Sequence, residues 1–204
     1  MKKKIAIVDY GSGNQRSLYN LIKYLGYDPV ITDELSIIER SEILILPGVG
    51  SFSGLMTKLK NKNLIKILNE QVIIKKKKYL GICVGMQILA KKGYEFGERD
   101  GLGWIDGEVS KIISKNLPLP HVGWNNIEKK KSHILCSDLD NESDFYFVNS
   151  YSIKKYNNND IIAFTNYNEK FPSIINKDNI YGLQFHPEKS QICGKIILKN
   201  FFEL

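Results

Sequence analysis

The chain has 204 residues, 43% hydrophobic and 25% charged, with 29 Lys and Arg against 22 Asp and Glu for a net charge of +7. That length and apolar fraction suit a single globular domain over 1–204 with a sizeable core. No apolar run approaches a membrane span, and the opening MKKKIAIVDY is interrupted by Asp9 too soon for a secretory leader, so a soluble cytoplasmic protein is expected, with no membrane partner.

Residues 4–9 read as a buried strand, with Gly11-Ser12-Gly13 as the turn after it. Leu18, Leu21, Ile22 and Leu25 then recur at helical spacing over 15–25. A second apolar strand at 43–46 is stopped by Pro47-Gly48, and helical patterns return at 55–59 and 64–74. Residues 79–82 form a third buried strand, followed by a turn at Cys83 and a helix through Ile88-Leu89. Buried strands alternating with helices predict an α/β fold: a mainly parallel central sheet flanked by helices.

The character changes after Gly93. Short strands dominate, at 109–113, 122–127, 145–148, 161–165, 173–175 and 180–185, before a helix at 194–202 closes the chain. Additional antiparallel strands are therefore expected beside the parallel ones, without a linker between the halves.

The positive charge invites a nucleic-acid reading. The lysines, however, fall in short runs at 2–4, 75–78 and 129–131 that look like solvated loop and helix ends, and no nucleic-acid motif accompanies them. Cys83, Cys136 and Cys193 are an odd, scattered set with no C-x-x-C and no histidine cluster, so neither a disulfide framework nor a metal site is expected.

Cys83 sits in GICVGMQ, between glycines where a strand meets a helix. One reading is a small residue filling a tight corner. The other is a nucleophile elbow, whose glycines permit a strained turn and whose following helix favours the thiolate. The decision rests on whether a base and its orienter exist elsewhere. Of three histidines, His133 lies beside a lysine run and reads as a surface residue, and His121 as structural or near a site. His186 ends a buried strand in GLQFHPEKS. In an extended segment His186 and Glu188 share a face, so the carboxylate can accept the ring N–H and set the tautomer. Oxyanion donors are available from the backbone of Val84 and from the PGVG loop at Gly48, Val49 and Gly50. The Gly11-Ser12-Gly13 turn lacks a P-loop lysine and a third glycine.

GICVGMQ and FHPE, with VDYGSGN, LPGVGSF, GLGWIDG, PHVGWN, FYFVNSY and GLQFHPEKS, resemble the class I (triad) glutamine amidotransferases over the whole chain. Together these segments resemble the glutaminase subunits of imidazole glycerol phosphate synthases. The resemblance implies that Cys83 attacks the glutamine side-chain amide, with His186 and Glu188 completing the triad. It also implies an oxyanion strand at PGVG with a peptide flip near Val49, substrate contacts at Gln87, Ser150 and Tyr151, and no cofactor. Ammonia would pass to a (β/α)8 cyclase partner in a heterodimer, serving histidine biosynthesis. Asn149 stands where the family commonly has His, which keeps an alternative in view: a paralogous subunit supplying ammonia to amidate a surface-polysaccharide sugar. A non-catalytic regulatory subunit is a further reading, which the intact triad disfavours.

Overall fold

A computed structural model describes residues 3–11, 15–140 and 142–204. The first half alternates strands and helices: β1 (Ile5–Val8), α1 (Gln15–Tyr24), β2 (Pro29–Thr32), α2 (Leu35–Arg40), β3 (Ile43–Gly48), α3 (Phe52–Asn61), α4 (Leu64–Asn69), β4 (Lys78–Cys83) and α5 (Val84–Gln87). A π-helical turn, Glu70–Ile74, extends α4. Short strands follow: β5 (Lys92–Gly93), β6 (Arg99–Asp100), β7 (Glu108–Lys111), β8 (His121–Asn126), β9 (Glu128–Lys129), β10 (Asp144–Asn149), β11 (Tyr151–Lys154), β12 (Ile161–Tyr167), β13 (Glu169–Lys177) and β14 (Ile180–Leu183), then α6 (Gln191–Glu203).

Eight strands form the main sheet in the order β2-β1-β3-β4-β14-β13-β12-β9. From β2 to β14 all neighbours are parallel; β13, β12 and β9 continue it antiparallel. The expected mixed α/β architecture is thus found. β1 and β3 are buried at every position, the burial of strands covered on both faces. β8 and β10 make a separate two-stranded sheet, and β11-β7-β5-β6 a third.

The expected turn at 11–13 lies partly outside the described residues, since it includes Ser12 and Gly13. β2 and α2 carry no signal in the sequence reading. β2 is an edge strand with Val30 exposed and Ile31 half-buried, so it lacks the continuous apolar run that marks its neighbours. The helix expected through 88–89 ends at Gln87. The returning segment takes its carbonyls instead: Leu102 N–H donates to Ile88, Trp104 and Ile105 to Leu89, and Gly103 to Ala90. Nor are all the lysine runs merely solvated. Lys3 donates to the Phe202 carbonyl at 2.7 Å and Lys78 to that of Leu204 at 2.6 Å, placing positive charge at the C-terminus of α6.

Parallel pairing decides where the chemistry sits. β3, β4 and β14 are adjacent and point the same way, so Gly48 lies opposite Cys83, and Leu183 opposite Ile82. The segments leaving these strands, PGVG, the Cys83 turn and Gln184–His186, meet at one carboxyl edge, the usual place for a ligand in an α/β sheet.

Candidate active site

The turn at Cys83 is strained, with φ +54 and ψ −114, a backbone state that side-chain-bearing residues rarely adopt. The strain lies in Cys83 itself rather than in its flanking glycines, which serve close approach. A Cβ on Gly85 would sit 2.0 Å from the Leu46 carbonyl oxygen, one on Gly81 2.4 Å from the Gly85 oxygen, and one on Gly48 2.2 Å from the Gly85 nitrogen. The three glycines therefore let the ends of β3 and β4 close around the elbow. α5 is a single turn, so its dipole gives less help to a thiolate than the expected longer helix.

His186 and Glu188 pair, but not as strand neighbours. Pro187–Lys189 form a 3₁₀ turn that folds Glu188 back, putting its Oε1 2.9 Å from His186 Nδ1. Both side chains are buried. The histidine backbone is fixed as well: its N–H donates to the Tyr146 carbonyl at 2.9 Å, and its carbonyl accepts from the Ser190 hydroxyl at 2.6 Å. Burial opposes a charge on this ring. The charge and hydrogen bond of Cys83, with those of Glu188, outweigh it and push the His186 pKa up to about 10. Imidazolium beside sulfur and braced by carboxylate is the arrangement of an activated thiol.

Cys83, Val84, Val49, Gly50, Gln87, Ser150, Tyr151 and His186 line one cavity of about 280 Å³. Just below the usual range of roughly 300–1,000 Å³ for drug-sized ligands, it suits an amino-acid-sized molecule. Gly48 lies under the elbow and Glu188 behind His186; neither lines the cavity. The Val49 N–H is engaged, donating to the Tyr10 hydroxyl at 3.0 Å. Gln87 Nε2 donates to the Tyr151 carbonyl at 2.8 Å and to Gln184 Oε1 at 3.1 Å, so that N–H group serves the site's framework. Asn149, also lining the cavity, donates through Nδ2 to the Tyr151 carbonyl at 3.1 Å.

Three residues escaped the sequence reading. Glu95 lines the cavity and accepts from the Phe52 N–H at 2.8 Å. Gln184 is fully buried against Cys83, and Tyr10 holds the loop at Val49. Gln184 had a legible signal, two positions before His186 on the same strand end; the other two act across the fold.

The remaining histidines are structural. His121 is buried, with ring centroids 3.9 Å from Tyr167 and 5.1 Å from Phe147, and burial pushes its pKa down to about 4. His133, expected at the surface, is half-buried, and its Nδ1 accepts from the Leu135 N–H at 3.1 Å to cap a 3₁₀ turn. Between pH 6.5 and about 4 the unfolded chain binds a proton at His121 that the folded chain refuses, so stability must fall as pH drops through this window. The maximum loss is roughly 3 kcal/mol. In His121→Phe, which retains the stacking, the pH dependence of urea denaturation over this range should flatten.

A family model described as glutamine amidotransferase class-I matches residues 6–204. The chain is 43% identical over 200 residues to the imidazole glycerol phosphate synthase subunit HisH 2 of Methanococcus maripaludis, covering 98% of both chains. It is 40% identical over 201 residues to the subunit HisH 2 of Pseudomonas aeruginosa (98% and 99% covered). The HisH subunit of Lactococcus lactis is 43% identical over 202 residues, with 98% of each covered. A solved glutamine amidotransferase structure superposes with TM-score 0.76 at 17% identity over 97% of both chains. The PurLQS structure from Thermotoga maritima gives 0.74 at 15%, over 100% of this chain and 99% of that one. These two establish likeness of fold.

Proposed function

Because the chain belongs to the class I glutamine amidotransferase family, we propose that it is the glutaminase subunit of an imidazole glycerol phosphate synthase, working with a Cys83–His186–Glu188 triad. The observation that carries the reading is that sulfur and imidazole line one small cavity while the Glu188 carboxylate braces the ring from behind. The near-full-length relatives named as this synthase's subunit support it. None of those relatives is named for the alternative, sugar amidation.

In this mechanism Cys83 Sγ attacks the γ-carboxamide carbon of glutamine. The carbonyl becomes an oxyanion held by N–H groups at Val84 and in the Gly48–Gly50 loop; the Val49 N–H must first leave Tyr10. His186 protonates the departing nitrogen, the C–N bond breaks, and a γ-glutamyl thioester and ammonia result. His186 then takes a proton from water, which attacks the thioester to release glutamate and restore the thiol. Glu95, a carboxylate in the cavity wall, is placed to hold the substrate's α-ammonium group. Gln87, Ser150 and Tyr151 frame the rest of the amino acid.

The relatives are subunits, and this chain offers a face for a partner. On β8 and β10 the side turned to solvent is apolar over two adjacent pairs: Val122 lies opposite Val148 and Trp124 opposite Tyr146, with Val122 55% and Trp124 46% exposed. Val148 also lines the cavity, so the patch adjoins the site. A (β/α)8 cyclase subunit covering it would receive ammonia away from water, where protonation ends its nucleophilicity. The full chain acts as one glutaminase domain in the reducing cytoplasm, consistent with three free cysteines.

Glutamate release from L-glutamine, measured with and without the (β/α)8 subunit, tests the reading. Turnover should rise when the subunit docks, and Trp124→Ala should weaken docking by roughly tenfold or more, as loss of an aromatic anchor does. Ester or peptide turnover without glutamine turnover would overturn it.

A further inference from the structure

Gln184 is 0% exposed and lies between the end of β14 and His186. A buried primary amide costs free energy unless its donors and acceptor find partners. Here they do so in one direction only. The Tyr151 carbonyl can only accept, so the Gln87 atom 2.8 Å from it must be the amide nitrogen. That nitrogen is also 3.1 Å from the Gln184 side chain, which must therefore present its oxygen. With its oxygen so committed, Gln184 turns Nε2 toward the Cys83 sulfur, 3.8 Å away. A backbone carbonyl thus sets the polarity of two side-chain amides, and the last N–H points at the nucleophile.

The sulfur has another polar neighbour, the Val148 carbonyl at 3.8 Å, to which only a neutral thiol can donate. Once the proton leaves, this carbonyl repels the thiolate, while the Gln184 N–H gains a charge-assisted bond. The single-turn α5 contributes little dipole of its own.

We propose that Gln184 is the thiolate-stabilising donor of this site, oriented by Gln87 and the Tyr151 carbonyl, so that the nucleophile rests on an amide as well as on His186. The inference rests on Cys83 being the nucleophile. It assigns to Gln184 work in the chemical step rather than in substrate binding, because no part of it lines the cavity.

The test is the rate of iodoacetamide alkylation at Cys83 against pH, read by mass spectrometry of the Cys83 peptide in the full chain, for native protein and Gln184→Met. Methionine keeps the length and bulk and removes the donor. The midpoint of the alkylation profile should move up by about one pH unit, and on the acid side of the native midpoint the rate should fall about tenfold. kcat for glutamine should drop by a similar factor, with KM changed less than about twofold. Gln184→Leu carries the same readout should the methionine variant not fold. An alkylation profile matching the native one in a folded variant would overturn the proposal, leaving Gln184 a packing residue. Alkylation needs no glutamine, so this failure is distinct from failure of the nucleophile itself, which would show as an unreactive Cys83 in the native chain.

Discussion

Replacing Cys83 by glycine is expected to abolish glutamine hydrolysis, yet to leave a chain more stable than the alanine variant. Both substitutions remove the nucleophile, and a triad stripped of it loses about 10⁴-fold or more in kcat. They differ in the backbone. At φ +54 and ψ −114 an alanine retains the clash of its Cβ, whereas glycine occupies this region freely. The strain amounts to about 1–3 kcal/mol, so Cys83→Gly should exceed Cys83→Ala in denaturant-derived stability by about 1–2 kcal/mol. Glutamate release and urea denaturation on the same two variants check both halves. Equal stabilities would mean that the elbow stores no strain at Cys83. Activity surviving in either would remove Cys83 from the chemistry.

Glu188→Gln should cost about 10²–10⁴-fold in kcat, with little change in fold. Glu188 Oε1 sits 2.9 Å from His186 Nδ1 in a buried pair, where a carboxylate can only accept and so fixes the proton on Nδ1. Once the ring has given its proton to the departing nitrogen, a glutamine amide in place of the carboxylate can turn its NH₂ toward it and stabilise the opposite tautomer, which presents no lone pair to the attacking water. The variant also bears on pH. Burial works against the imidazolium, and of the groups that overcome it Glu188 supplies one hydrogen bond and one charge. Without them the His186 pKa must fall from about 10, so imidazolium is lost at lower pH. The alkaline limb of kcat/KM should move down accordingly in Glu188→Gln, while Glu188→Asp should retain part of the native profile. A limb that stays in place would show that Glu188 does not act through His186.

Particular elements mark the boundary between chain and fold. The strands at 43–46 and 79–82 are legible because both of their faces are buried, which writes a continuous apolar run into the sequence. The Gly-flanked cysteine and H-P-E are legible because an elbow and a braced histidine demand particular residues at short spacing. The edge strand β2 is not legible, since one face meets water and its pattern is diluted. The Pro187–Lys189 turn is not legible either, since H-P-E suits extended chain as well, but the two-residue separation keeps Glu188 within reach of His186.

From its residues alone the chain determines the alternating α/β plan, the residues proposed as nucleophile, base and orienter, and the family resemblance, because each depends on local spacing or on a run of side chains. The tertiary structure decides what depends on distant backbones meeting: that β3, β4 and β14 end side by side, that Gly85 must admit the Leu46 carbonyl, that Tyr10 holds the Val49 N–H, and that Glu95 and Gln184 face the site. Those contacts join residues 39 to 101 positions apart in several cases, and sheet pairing, not sequence proximity, sets their geometry.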